Sequence, residues 1–328
     1  MNSLYLGADI GGTNCRVAIA EMWDDGWHIR YRGHYPSQSY PSAEWIMRDF
    51  LVACGSPTLA AAGFAVAGPV VDGTAQLTNV SWQMNAEHLG LALGDVPVVL
   101  LNDFEAVGRG LSSLAPEDLV TLQAGSPQAG APKLLVGAGT GLGVSLLVPT
   151  DADYHPLPSE GSHADFAPQG EVEIALLRHL AERYGHVSWE RIVSGPGLEA
   201  TYHFVRSEAG LEPKALTAPD IAEAAMSQQD PAAAQALEIF VSAYGAFAGN
   251  LALALLPRAG VYLAGGIAPR ILAKLQDGRF LRAFAAKGRF AGLLAEMPVQ
   301  VVTNADVGML GAFAAARARS PLRPLHAG

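Results

Sequence analysis

Short apolar runs closed by glycine or proline alternate along this chain with longer stretches at helical spacing. Near the N-terminus "LYLGADI" (4–10) and "RVAIAE" (16–21) flank "GGTN", which predicts a β-hairpin with a glycine-rich turn. "HIRYRGHY" (28–35) predicts a third strand. From Ser42 to Cys54 the apolar residues at 46, 50 and 53 keep helical spacing, and Gly55 stands where a C-cap falls. "AAAGFAVAG" (60–68) and "PVVLL" (97–101) predict buried strands, the second followed by a helix. The pattern restarts at "KLLVGAGTGLGVSLLVP" (133–149), again strand, glycine-rich turn, strand. Helices are predicted over about 171–184, 196–209, 219–228, 231–256 and 307–319, with strands at "GVYLAGGIAP" (260–269, turning into a helix start at its proline) and "PVQVVTN" (298–304). Such alternation predicts α/β layers, and the two similar halves suggest two lobes with a cleft between them.

Length and composition narrow the picture. A chain of 328 residues fits two domains or one large one. With 50% hydrophobic and 16% charged residues it can bury a sizeable core. A net charge of -10 argues against nucleic acid or an anionic membrane as the main partner, so any phosphate must be held by local geometry. Two cysteines, Cys15 and Cys54, make neither a disulfide framework nor a zinc site, and a reducing cytoplasm is expected. The chain begins without a signal-peptide pattern. The uncharged run Ile239 to Leu256 is long enough for a membrane span. It contains Ser242, two glycines and Asn250, and reads better as a buried central helix. The end, "SPLRPLHAG", reads as a frayed terminus.

Three glycine turns can hold anions. In the first, Gly11, Gly12, Thr13 and Asn14 follow Asp9. Glycine allows positive φ and close approach of N–H groups to a ligand, and Asp9 could hold a hydrated Mg²⁺. The second has glycines at 137, 139, 141 and 143, which fits neither a Rossmann fingerprint nor a P-loop but suits a second phosphate clamp. The third, Gly265-Gly266, can approach a purine. Each could also be an ordinary tight turn. Two polar segments add carboxylates: "LPSEGSHADFAP" (157–168) carries Glu160, His163 and Asp165, and "GHVSWERIVSGPG" (185–197) carries Glu190 before a strand-like Ile192-Val193. Zinc lacks further ligands at metal spacing there. A surface turn and a helix-surface Glu are the plain alternatives, while a polyhydroxyl ligand would suit the carboxylates. Asn102-Asp103 ends the buried run Val98 to Leu101. Its plain reading is a helix N-cap; its functional one is a carboxylate used by a ligand.

As a set, "DIGGTN", "LLNDFEA", "GAGTGLG", "EGSHADFAP", "GHVSWERIVSGPG", "LAGGIAPR" and "KGRF" resemble the bacterial glucokinases of the hexokinase–actin superfamily, in family order from about residue 4 to about 317. The cysteine-rich zinc motif and helix-turn-helix of repressor-type relatives are missing, so the likeness is to the non-repressor family. The resemblance implies a two-lobed ribonuclease H-like/actin-like ATPase fold. The small lobe would be 1–112 with 303–320, the large lobe 113–302 with the dimer contact, and 321–328 a tail. It implies Asp103 as catalytic base, and Asn102, Asp103, Glu160, His163 and Glu190 as D-glucose ligands. Asp9, Gly11, Gly12, Thr13 and Asn14 would form the first phosphate and Mg²⁺ region, with Asp9 holding Mg²⁺ through water. Gly139, Thr140 and Gly141 would form the second clamp, and Gly265 and Gly266 the adenosine region. The implied activity is ATP-dependent phosphorylation of glucose to glucose 6-phosphate by a cytoplasmic homodimer. A catalytically inactive glucose sensor and an actin- or chaperone-like ATPase are the alternatives. Three positions depart from the family. Cys15, in place of a small Ala, suggests sensitivity to thiol reagents. Ser159 and Ser162, in place of glycines, suggest a strained loop if those backbones need positive φ.

Overall fold

The computed structural model describes residues 3–77 and 80–320. The predicted tail 321–328 lies outside them. In chain order the elements are β1 (Leu4–Ile10), β2 (Asn14–Trp23), β3 (Gly26–Pro36), α1 (Ala43–Ala53), β4 (Ala61–Val66), β5 (Val70–Val71), β6 (Thr74–Gln76), β7 (Gln83–Asn85), α2 (Ala86–Ala92), β8 (Val98–Asn102) and α3 (Asp103–Gly110). There follow β9 (Leu119–Gln123), β10 (Lys133–Ala138), β11 (Leu142–Pro149), β12 (Tyr154–Ser159), α4 (Gly170–Tyr184), α5 (Gly195–Glu208), α6 (Ala218–Met226) and α7 (Pro231–Leu255). The last are β13 (Gly260–Ala264), α8 (Leu272–Leu275), α9 (Arg279–Ala285), α10 (Ala291–Ala295), β14 (Val299–Val302) and α11 (Val307–Arg319). Among the described residues, 3–77, 80–115, 153–156 and 304–320 form one compact unit, and 116–152 with 157–303 form another.

The first unit is built on a five-stranded sheet of order β3-β2-β1-β4-β8. The hairpin β1–β2 and the β2–β3 pair are antiparallel, whereas β1–β4 and β4–β8 are parallel. Every residue of β4 is buried, as its unbroken apolar run requires for a central strand covered on both faces. One face packs Leu6, Ile10, Val17 and Ile19 with Ile46 and Phe50 of α1. The other packs Tyr5, Ala18 and Ala20 with Met309 and Phe313 of α11.

The second unit repeats the opening move. Its six-stranded sheet has order β12-β11-β10-β13-β14-β9. The β10–β11 hairpin is antiparallel, and β10–β13 and β13–β14 are parallel. Helix α7, the long uncharged run of the sequence, is the core helix of this unit: Phe240, Tyr244 and Phe247 are buried, and the Tyr244 hydroxyl donates to the Val136 carbonyl at 3.0 Å. It is the one described helix long and apolar enough to cross a membrane, and 72% of its most apolar window is buried within the unit.

Two local expectations are corrected. Ile192-Val193 is not a strand: a 3-10 turn at Trp189–Arg191 runs into it, and both side chains are in the core. Burial made the pair look strand-like, because buried segments of either type read as apolar runs. Pro269 opens not an α-helix but a 3-10 turn, Ala268–Ile271, which runs into the short α8.

Candidate active site

In the first unit, β8 and α3 meet at Asn102-Asp103. The cap is Asn102: its Oδ1 accepts from the N–H of Phe104 at 2.9 Å and of Glu105 at 3.4 Å, and its Nδ2 donates to the Gly68 carbonyl at 3.1 Å. The N-cap reading therefore belongs one residue before Asp103, which is the first helical residue. The Phe104 N–H also reaches Asp103 Oδ1 at 2.8 Å. Half-burial pushes the Asp103 carboxyl above its ordinary value. The Phe104 N–H pulls it down, the negative charge of Asp9 raises it again, and Asn102 lowers it. Such a carboxylate is a stronger base than a solvated one.

Asp9 lies near the end of β1, in register with Arg16 of β2. Arg16 donates to Asp9 Oδ2 and reaches Asp306, the residue before α11, at 3.5 Å; Arg32 pairs with the same Asp306 at 2.5 Å. In the adjoining turn the Gly11 N–H donates to the Asn14 carbonyl at 2.9 Å, and Ser37 Oγ donates to the Gly11 carbonyl at 2.7 Å. Among the described residues, the N–H groups of Gly12 and Thr13 have no backbone partner, and two adjacent donors suit an anion.

Mg²⁺ keeps several waters and takes one or two carboxylates plus substrate phosphates. Asp9, whose charge bears on Asp103, meets that need, and no group of three or more His, Cys, Asp or Glu residues suited to a metal occurs among the described residues.

In the second unit, Glu160 precedes the 3-10 turn Gly161–His163 and His163 ends it, with His163 Nε2 at 3.6 Å from Glu160 Oε2. Both side chains are solvent-facing, at 91% and 55% exposure, and so are open to a ligand. Asp165 instead pairs with His186 at 2.8 Å. Glu190 is tied to the second glycine turn: its Oε2 accepts from the Leu142 N–H at 2.9 Å. The turn is closed by Gly139 N–H to the Gly141 carbonyl at 2.8 Å, and the Gly139 carbonyl accepts from Gly195 N–H, at the start of α5, at 2.8 Å. The Ile267 N–H donates to the Ala138 carbonyl at 3.2 Å, which brings the Gly265-Gly266 turn to the same end of β10. Thr140 is exposed at the tip.

Three expectations change here. Of the turn residues Gly11, Gly12, Gly139, Gly141, Gly265 and Gly266, only Gly265 has positive φ, at 82°, so the first two turns do not need glycine for a left-handed backbone. Ser159 and Ser162 have no positive φ, so the loop carries no such strain; Ser159 Oγ accepts the Gly161 N–H at 3.1 Å. Cys15 is not primed for thiol reagents. It is 0% exposed, opposite Ile10 in the hairpin, and burial, with Asp9 adding, pushes its thiol up to about 12. The sequence motifs assign no role to Arg16, to Asp306 or to the Gly195 N–H at the start of α5. Arg16 was within reach of the sequence, since a seven-residue strand, a short turn and pairing place it opposite Asp9.

The crystal structure of a glucokinase from an Antarctic psychrotroph superposes with a TM-score of 0.88 at 30% identity, covering 97% of this chain and 100% of that one. A glucokinase from Balamuthia mandrillaris, solved in complex with glucose, shares the fold at a TM-score of 0.80 and 24% identity, over 96% of this chain and 94% of that one. The fold is that of the sugar kinases with an actin-like ATPase fold. A glucokinase of Nostoc punctiforme is 42% identical over 333 residues, 94% of this chain and 98% of its own. The family model described as Glucokinase matches residues 6–319, and the chain belongs to the glucokinase family.

Proposed function

We propose that this enzyme transfers the γ-phosphoryl group of ATP to the 6-hydroxyl of D-glucose, giving ADP and glucose 6-phosphate, the first step of intracellular glucose use. The observation that carries the reading is Asp103, a half-buried carboxylate with raised basicity where β8 passes into α3. Asp103 takes the hydroxyl proton as the sugar oxygen forms its bond to the γ-phosphorus and the bond to the ADP oxygen breaks.

We assign Glu160, His163, Glu190 and Asn102 to the sugar. Carboxylates accept from vicinal hydroxyls, and Asn102 has a second amide hydrogen to give beyond the one held by Gly68. The turns Gly11–Asn14 and Gly139–Gly141 supply N–H groups to phosphates, and Gly265-Gly266 lies beside the adenosine. Asp9, held in orientation by Arg16, would keep Mg²⁺ through water beside the phosphates. Mg²⁺ supplies charge neutralisation on the transferring group when bound. Asp103 and Asn102 belong to the first unit and Glu160, His163 and Glu190 to the second, so we propose that glucose draws the two units together. We place the enzyme in the cytoplasm, as a homodimer.

The test is a coupled assay for glucose 6-phosphate with purified protein, glucose and Mg-ATP. Turnover that is lost in Asp103→Asn supports the reading. Glucose binding without phosphorylation in the unmodified protein overturns it.

A further inference from the structure

Gly141 lies in the phosphate turn, yet the atom nearest to where its side chain would stand belongs to the sugar segment. A Cβ built there would sit 2.8 Å from Glu190 Oε2 and 3.6 Å from its Cδ, closer than atoms pack. The same Oε2 accepts the Leu142 N–H at 2.9 Å, one residue further along. The Glu190 main chain is fixed as well: Ser194 Oγ donates to the Glu190 carbonyl at 2.7 Å and accepts the Gly197 N–H at 3.0 Å, capping α5. The first residue of α5, Gly195, then donates to the Gly139 carbonyl. The carboxylate thus has one oxygen committed to the phosphate turn and the other left for a sugar hydroxyl.

We infer that Glu190 couples the two substrates, and that the bare Cα of Gly141 determines glucose affinity because it leaves room for that carboxylate. This rests on the reading of Glu190 as a sugar ligand. A side chain at 141 meets the flexible end of Glu190 and no backbone, and φ at 141 is not in the left-handed region, so the turn itself can stay in place while the carboxylate is pushed off the Leu142 N–H. Gly139 is the internal comparison. Its Cβ would meet nothing nearer than the Gly141 carbonyl oxygen at 4.0 Å. Two glycines of one phosphate clamp therefore differ in what they do for the sugar.

The experiment is calorimetric titration of glucose, without nucleotide, into the intact protein and its Gly141→Ala, Gly139→Ala, Glu190→Ala and Gly141→Ala/Glu190→Ala variants. Loss of a hydrogen bond to a charged group predicts that Gly141→Ala weakens glucose binding by about tenfold or more. Gly139→Ala should hold glucose within about twofold, inside the usual scatter of independent sites. On the Glu190→Ala background, Gly141→Ala should cost nothing further, since nothing remains to be displaced. Wild-type glucose affinity in Gly141→Ala, or additive losses in the double variant, would overturn the coupling. Wild-type affinity in Glu190→Ala would instead remove Glu190 from the sugar ligands. Should Gly141→Ala fail to fold, the Glu190→Ala protein decides the matter: a non-hydrolysable ATP analogue should bind the unmodified protein more tightly with glucose present, and this gain should vanish in the variant. A gain that persists counts against the coupling.

Discussion

Replacing Asp103 by Asn separates its chemical role from its structural one. The amide cannot take the hydroxyl proton, so kcat should fall by about 10²–10⁴ or more, while calorimetry still detects glucose binding. Helix capping should survive, since Asn102 makes the cap. The raised carboxyl fixes the sign of the pH effects. Asp103 stabilises the fold in its protonated form, below its ordinary value of 3.8, and that contribution is lost as pH rises through the raised folded value. Asp103→Asn should therefore melt at or above the unmodified protein near neutral pH, with the gap closing on acidification. The acid limb of kcat/KM should lie above the ordinary carboxylate range. A variant with wild-type turnover would return Asp103 to a structural role. Glu160→Gln keeps shape and removes an ionised acceptor, so the glucose KM should rise by about tenfold while the ATP KM stays put. For the cysteines, burial raises both thiols, but Cys54 is only half-buried while Cys15 is fully enclosed, so a thiol-directed reagent should modify Cys54 in the folded protein and reach Cys15 only on unfolding. Mass mapping of the labelled peptides checks this.

At the scale of elements, α3 is held where it is by a close crossing with α11. A Cβ on Gly311 would lie 1.8 Å from the Ala106 carbonyl oxygen, and one on Gly110 2.0 Å from that of Val307. These obstacles are backbone, so the helices themselves must part. Gly311→Ala should destabilise by about 1–3 kcal/mol or more, as overpacking does. It should also lower kcat, because α3 begins with Asp103. Gly292→Ala in α10, where the new methyl meets nothing within 4 Å, should melt at or above the unmodified protein, as alanine is the better helix former. Equal effects of the two changes would show that the crossing does not position the base.

At the scale of the whole molecule, the proposed base Asp103 belongs to the first unit, and the proposed sugar ligands Glu160, His163 and Glu190 to the second. Saturating glucose should therefore lower the radius of gyration in small-angle scattering. A site left open would let water attack the γ-phosphate. An unchanged radius would count against closure. The elements themselves were legible from local pattern: the glycine hairpins at 11–14 and 139–141, the strand ending at Asn102 and the long helix α7 all stand where spacing put them, although that strand, expected to be buried, is the half-buried edge of its sheet. So were the residue types suited to a phosphoryl transfer site. The short strands β5 to β7, the edge strand β9 and the short helices α8 to α10 were not, since runs of two to seven residues carry too little periodicity to read.

The sequence by itself determined the order and kind of the main elements, because turn chemistry and hydrophobic spacing act between near neighbours along the chain. Tertiary structure alone decided which distant groups meet. Packing of α1 on the sheet buried Cys15 in the core. Packing of the turn after β10 against the segment before α5 gave Glu190 its bond to Leu142 and made the missing side chain of Gly141 matter to a residue far along the chain. Such contacts depend on how faces close on one another, and no local pattern encodes that.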